Sequence, residues 1–207
     1  TGNVNDAPIR VAYALEQCWD QVPGEAATAA LRIAAALGER PDDVTVLQVV
    51  AKHADIPPAV YRPVGSVAML PLGRRWLYAA WTRLNWPKVE SVTGSVDVAH
   101  ATGFVPCATS VPLVVTIDDI QFLEAPGSLA KHVERVMRRS FDVIGERADR
   151  VLCSSRATFD DCVRGGLDEA KLRLVPVGAD ADWEVAAEQT LAVYRELVPA
   201  RGATANS

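Results

Sequence analysis

Val44-Thr-Val-Leu-Gln-Val-Val50 is a near-continuous run of β-branched and apolar residues, and its reading decides the fold. A strand with one wet face alternates apolar and polar side chains. A run that stays apolar suits a parallel strand covered on both faces. Toward the N-terminus, Ala26 to Leu37 is rich in alanine and leucine, and Gly38 reads as its C-cap. A polar turn, Pro23-Gly24-Glu25, precedes this helix. Before it, Ile9-Arg-Val-Ala-Tyr-Ala-Leu15 reads as a second buried strand. Strand, loop, helix and strand make one βαβ unit.

The same alternation continues toward the C-terminus. Ala59-Val-Tyr-Arg-Pro-Val64 is a weaker strand, which Pro63 assigns to an edge or a strand end. Arg74 to Trp86 has Trp76, Leu77, Ala80, Trp81 and Leu84 at helical spacing, an aromatic stripe suited first to core packing. Val96–His100 and Leu113–Ile117 are strands. Ser128 to Ala148 is a helix with Leu129, Val133, Val136, Met137, Phe141 and Ile144 on one face. Arg150–Ser154 is a strand, Ala157 to Arg164 a short helix ended by Gly165-Gly166, and Leu172–Pro176 the last strand. With right-handed crossovers this predicts a doubly wound parallel α/β sheet of Rossmann-like type. In such sheets ligands collect at the carboxyl ends of the strands. The loops after Leu15, His100, Ile117 and Ser154 are therefore the ones to read.

Composition excludes several classes. The chain has 207 residues, 49% of them hydrophobic and 23% charged, with a formal net charge of −5. That is an ordinary globular mixture, and its charge repels nucleic acid. Four scattered cysteines, Cys18, Cys107, Cys153 and Cys162, form no C-x-x-C pair and read as reduced packing thiols. No apolar stretch nears the roughly 18–20 residues of a membrane span, and no signal-type segment stands at the N-terminus, so the expected location is cytoplasmic. Pro57 to Trp86, with Arg74, Arg75, Trp76, Trp81 and Trp86, has a composition able to touch a lipid surface or an acceptor. Packing plus a solvated face is the preferred reading of it.

Each loop offers a candidate. A dinucleotide site wants G-x-G-x-x-G after the first strand, and only Gly24 is there, which removes the main support for a nicotinamide or flavin enzyme. One glycine before a helix still lets a phosphate or sugar approach the amides, or it is a simple turn. His100, with Thr102 and Gly103 behind it, closes a strand at the ligand edge. It would orient a hydroxyl, serve as a base, or be a satisfied half-buried histidine. Asp118 and Asp119 end a buried strand, an unusual place for two carboxylates. One would cap the turn and the other accept a proton or bind sugar hydroxyls. Ser154 or Ser155 reads first as a helix N-cap. No nucleophile elbow, phosphate loop or zinc spacing is present.

Taken in order, four segments resemble glycosyltransferase family four of the GT-B superfamily. They are Asp97-Val-Ala-His100; Val111-Pro-Leu-Val-Val-Thr-Ile-Asp-Asp-Ile-Gln-Phe-Leu-Glu-Ala-Pro126; Ala148-Asp-Arg-Val-Leu-Cys-Ser-Ser155; and Lys171-Leu-Arg-Leu-Val-Pro-Val-Gly-Ala-Asp180. The resemblance covers about residues 9–180. It implies a retaining enzyme that moves a sugar from a nucleotide-sugar donor to a sugar or glycolipid-type acceptor, without a cofactor or bound metal. It also implies that this half mainly holds the acceptor, with Gly24 and Glu25 facing the donor and with His100, Thr102, Gly103, Asp119 and Ser154 on the substrate side. Asp118, the catalytic candidate, stands where the family has a histidine beside the transferring sugar, so a neutral hydrogen-bond donor there requires a protonated carboxyl.

After Asp180 the family continues into a donor-binding domain. Here Asp182-Trp183 follows almost at once and opens a segment that resembles the family's closing helix. The expected organisation is an acceptor-side domain over 1–180, a crossover helix over 181–198 packed on it, and a tail over 199–207. About 100–200 residues of the family pattern are missing between the first two, as in a deliberately trimmed chain. Glu188 and Glu196 stand at the family's E-x7-E spacing but lack its glycine- and proline-rich context, so they read as solvated helix charges. Such a half is expected to be inactive alone. The competing class is a standalone flavodoxin-like binding or scaffold module.

Overall fold

The computed structural model describes residues 7–120, 131–177 and 181–198. Seven strands form one sheet: β1 (Ile9–Ala14), β2 (Val44–Val50), β3 (Val67–Met69), β4 (Val98–Ala101), β5 (Leu113–Ile117), β6 (Arg150–Cys153) and β7 (Leu172–Leu174). Their spatial order is β3-β2-β1-β4-β5-β6-β7, and every pairing is parallel. The order reverses between β1 and β4, so the crevice at their carboxyl ends is the switch point of the sheet. The described helices are α1 (Glu25–Gly38), α2 (Arg74–Leu84), α3 (Glu90–Thr93), α4 (Lys131–Arg147), α5 (Arg156–Arg164) and α6 (Trp183–Leu197).

The period-2 alternation of each strand builds two cores. Val11, Tyr13, Val98, Val114 and Leu152 face α1 and α6. Ala12, Ala99, Leu113, Val115, Val151 and Cys153 face the other layer, where Leu77 and Trp81 of α2, Phe141 and Ile144 of α4 and Phe159 of α5 lie. α6 packs on α1 through Ala186, Ala187, Leu191 and Tyr194, which meet Ala27, Ala30 and Ile33 within one core. Asp182 caps α6 by accepting from the amides of Glu184 and Val185. Arg40 pairs with Glu184 and Glu188, and Arg150 and Arg173 both pair with Glu196, so the E-x7-E glutamates are tied to arginines.

Several expected elements shift. Ala59–Tyr61 is a 3-10 turn, and the edge strand forms at Val67–Met69 instead. Pro58 and Pro63 bracket the turn and supply no N–H to a ladder, whereas Val67, Ala68 and Met69 can pair with Gln48, Val49 and Val50. Gly38 ends α1 as its last helical residue, with Glu39 beyond it in right-handed backbone. The aromatic stripe of α2 divides: Leu77 and Trp81 are buried, while Trp76 and Leu84 are exposed. Val133 and Val136 of α4 are also exposed, so its core face is carried by Met137, Phe141 and Ile144. Segments 121–130, 178–180 and 199–207, which include Leu129, Asp180 and the tail, lie outside the described residues. The four cysteines are buried and free. Among the described residues no helix is long and apolar enough to cross a membrane.

Candidate functional site

A cavity of about 750 Å³ opens at the carboxyl ends of the strands, between the start of α1 and the start of α6. Its lining brings together Gly24, Glu25, Asp118, Asp119 and Ser154, five of the residues singled out from the sequence, with Thr28, Arg32, Val177 and Trp183. Gly24 is the N-cap of α1 in extended backbone, φ −120°, so its conformation is open to any residue. A Cβ built there meets nothing within 4 Å. What the glycine supplies is therefore an unobstructed approach to the first turn of the helix, whose free amides and dipole favour an oxygen-rich or anionic group.

Asp118 follows β5 directly and is held by its backbone. Its carbonyl accepts from the Ser154 hydroxyl at 3.0 Å and from the Thr158 hydroxyl at 2.7 Å. Ser155, rather than Ser154, is the N-cap of α5, accepting from the Thr158 amide at 3.0 Å. Ser154 thus ties the end of β5 to the end of β6. Burial, and then the neighbouring Asp119, push the Asp118 carboxyl up to about 6. Below that pH the side chain is a neutral hydrogen-bond donor. Arg32 adds a cation to a cavity otherwise edged by Glu25, Asp118 and Asp119.

The loop after β4 contributes differently. His100 is 1% exposed and lies outside the cavity. The β alternation points it, like Thr116, to the α1–α6 side. There its Nδ1 lies 2.6 Å from the Tyr194 hydroxyl and its Nε2 2.8 Å from the Thr116 hydroxyl. Tyr13 meets the ring edge-on at 5.1 Å. Desolvation lowers its pKa to about 3, so it is neutral, with both nitrogens occupied. Of the readings open to His100, the satisfied buried histidine is the one this geometry matches. Thr102 lines only a small adjoining hollow of about 20 Å³ that shares Asp118 with the cavity. Its hydroxyl donates to the Ala14 carbonyl and accepts from Gln17 at 2.7 Å. Gly103 leaves room for the Gln17 side chain, whose Oε1 would stand 3.6 Å from a Cβ built there.

Arg32 and Trp183 are cavity residues that sequence reasoning missed. Arg32 carries the signal of helical spacing, one turn beyond Thr28 and two beyond Gly24. The role of Trp183 depends on tertiary packing. A second polar group at the same sheet edge was also missed. The buried Glu16 carboxylate accepts from the Ala51 amide and from Arg74 Nε at 3.0 Å, and it meets His53 at 3.2 Å. Arg74 also reaches Asp20 at 2.5 Å. Residues 16, 53 and 74 are brought together only by the strand order. Among the described residues no group of three or more His, Cys, Asp or Glu side chains could hold a metal ion.

An all-parallel doubly wound sheet with a cleft at the carboxyl ends of its strands, and with α6 packed on α1, defines one Rossmann-like unit of the GT-B kind. The Glycosyltransferase Family 4 model matches residues 26–183, most of the chain, and the chain belongs to that family. Among solved structures it is similar to HepE of Anabaena in complex with UDP and glucose, with 17% identity and a TM-score of 0.50 over 83% of this chain and 45% of that one. It is also similar to a UDP-N-acetylglucosamine 2-epimerase, with 12% identity and a TM-score of 0.50 over 83% of this chain and 48% of the other. These likenesses show the fold. The chain spans less than half the length of either protein. No curated protein matches it.

Proposed function

We propose that this chain is the acceptor-binding half of a retaining glycosyltransferase that takes its sugar from a nucleotide-sugar donor. The observation that carries the reading is the cavity at the strand ends, where Asp118, Asp119 and Ser154 face the open first turn of α1. Membership of the family supports sugar transfer by the whole protein, and the HepE structure solved with UDP and glucose suggests a ligand chemistry. In that reaction the bond from the sugar's anomeric carbon to the diphosphate breaks and a bond to an acceptor oxygen forms.

The carboxylates, Ser154 and Arg32 suit an acceptor rich in hydroxyl groups. The unobstructed amides after Gly24 suit a phosphate or sugar oxygen of the donor. Asp118 occupies the position of the family's histidine. With its carboxyl raised to about 6, it donates a hydrogen bond to a sugar hydroxyl when protonated and accepts one when ionised. Glu188 and Glu196 of α6, engaged with Arg40 and with Arg150 and Arg173, take no part. As an acceptor-binding half, this chain is proposed to show no turnover of its own.

The test is an amide chemical-shift titration with mono- and disaccharides and with soluble glycolipid headgroups. Shifts clustered at Gly24, Glu25, Asp119 and Ser154 support the reading. Saturable binding that perturbs none of them overturns it.

A further inference from the structure

From Ile56 to Val89 the chain has no acidic residue. Five of its 21 lysines and arginines fall here, and all 26 aspartates and glutamates fall elsewhere. This is the one long stretch that opposes the net charge of −5, and α2 is its centre.

α2 has two unlike faces. Leu77, Trp81 and Thr82 are buried against the sheet, and Arg74 turns inward to Glu16. Trp81 spends its indole N–H on the Pro87 carbonyl at 2.9 Å. The opposite face carries Arg75, Trp76 and Arg83, which fall within roughly a 100° sector of the helix. Leu84 and Trp86 extend it at the C-terminal end. Trp76 is 68%, Leu84 71% and Trp86 54% exposed. Arg75 lies over the Trp76 ring at 5.8 Å. This side of the sheet is the layer of α2 and α4, whereas the cavity lies between α1 and α6, so a ligand filling the cavity leaves the face open.

We infer that this outer face of α2 docks on an anionic lipid bilayer, with Trp76, Leu84 and Trp86 entering the interfacial region and Arg75, Arg83 and Lys88 meeting the headgroup phosphates. Exposed tryptophans beside arginines match the two chemistries of that interface, an apolar boundary under a negative surface. Charge decides among occupants. A second copy would bring a like-charged face onto this one, and a neutral apolar partner would leave the cations unmatched. The docking is independent of sugar binding and is measured without any sugar present.

The experiment is co-sedimentation of the chain with phosphatidylcholine vesicles and with vesicles containing 30% phosphatidylglycerol. Binding to the anionic vesicles only, weakening with added salt, is expected. Arg75→Glu/Arg83→Glu lowers the partition coefficient by at least about fivefold per charge removed. Trp76→Ser/Trp86→Ser lowers it by roughly tenfold or more. Arg195→Glu, on the α6 side of the sheet, leaves it unchanged. Circular dichroism melts confirm that each variant is folded. Failure to bind anionic vesicles, equal binding to neutral ones, or wild-type binding by both double variants overturns the inference. So does a concentration-dependent dimer that Trp76→Ser/Trp86→Ser abolishes while no vesicle binds.

Discussion

The Nδ1 of His100 lies 2.6 Å from the hydroxyl of Tyr194, joining the end of β4 to the last turn of α6 across 94 residues of sequence. Both groups are buried, and the histidine's other nitrogen is held by Thr116. The pair makes the docking of α6 specific in register, because sliding the helix by one residue would leave a buried imidazole nitrogen without a partner. Tyr194→Phe keeps the ring and deletes the oxygen. It is expected to cost about 1–3 kcal/mol, the price of a buried polar atom left unsatisfied. Urea denaturation at pH 7 measures this, and a change below about 0.5 kcal/mol would contradict it.

His100 and Asp118 act oppositely on stability as pH falls. The imidazole is held near 3 in the folded chain and near 6.5 when unfolded. Between those values the unfolded chain binds more protons, so stability falls with pH, by up to about 1.4 kcal/mol per unit. The Asp118 carboxyl is held up to about 6, against about 4 unfolded. There the folded chain binds more protons, and stability is gained as pH falls from about 6 to about 4. In wild type the two contributions nearly cancel across that window. Asp118→Asn removes one of them, so its stability should drop more steeply than wild type between pH 6 and 4. Parallel curves would refute the assignment.

Gly24 is not required by backbone geometry, so its substitution separates space from stability. Gly24→Ala should melt within about 0.5 kcal/mol of wild type, since its Cβ meets no atom. Gly24→Leu should also fold, yet weaken sugar binding at least about tenfold by projecting a side chain over the first turn of α1. A Gly24→Leu variant that binds as wild type would remove this loop from the site.

The E-x7-E pair makes the reverse prediction. Glu188 is more than half exposed in its pair with Arg40, and Glu196 sits at the surface between Arg150 and Arg173. Glu188→Gln is expected to cost less than about 1 kcal/mol, as exposed ion pairs do. Neither Glu188→Gln nor Glu196→Gln should alter sugar binding. A loss of binding in either one without unfolding would reopen a functional role.

Much of the fold was legible because its signals are local. The near-continuous apolar run 44–50 announced a buried parallel strand, and Leu113–Ile117 forms where the sequence expected it. The edge strand was misplaced because the run 59–64 reads as apolar although Pro63 within it, and Pro58 just before it, supply no N–H donor. Pairing with β2 selects Val67–Met69 instead. Of the site, Gly24, Asp118, Asp119 and Ser154 were found from the ends of elements, where the sheet rule directs attention. His100 obeyed the same rule, but its direction is set by alternation along β4 and by Tyr194, 94 residues away. Arg32 was reachable from its helical spacing to Gly24 and Thr28, whereas Trp183 and the Glu16–Arg74 pair depend on tertiary neighbours that no local spacing reveals.

The central claim, resting on the proposed acceptor-binding half, is that this chain holds an acceptor at the Asp118 cavity and does not transfer a sugar by itself. The most direct measurement combines the amide-shift map with an assay for released nucleoside diphosphate, using nucleotide-sugars and an acceptor panel. The account predicts acceptor-dependent shifts at Gly24, Asp119 and Ser154, abolished by Gly24→Leu, and no nucleotide released above background. Robust transfer by this chain alone, or acceptor shifts confined to residues remote from the cavity, would contradict it.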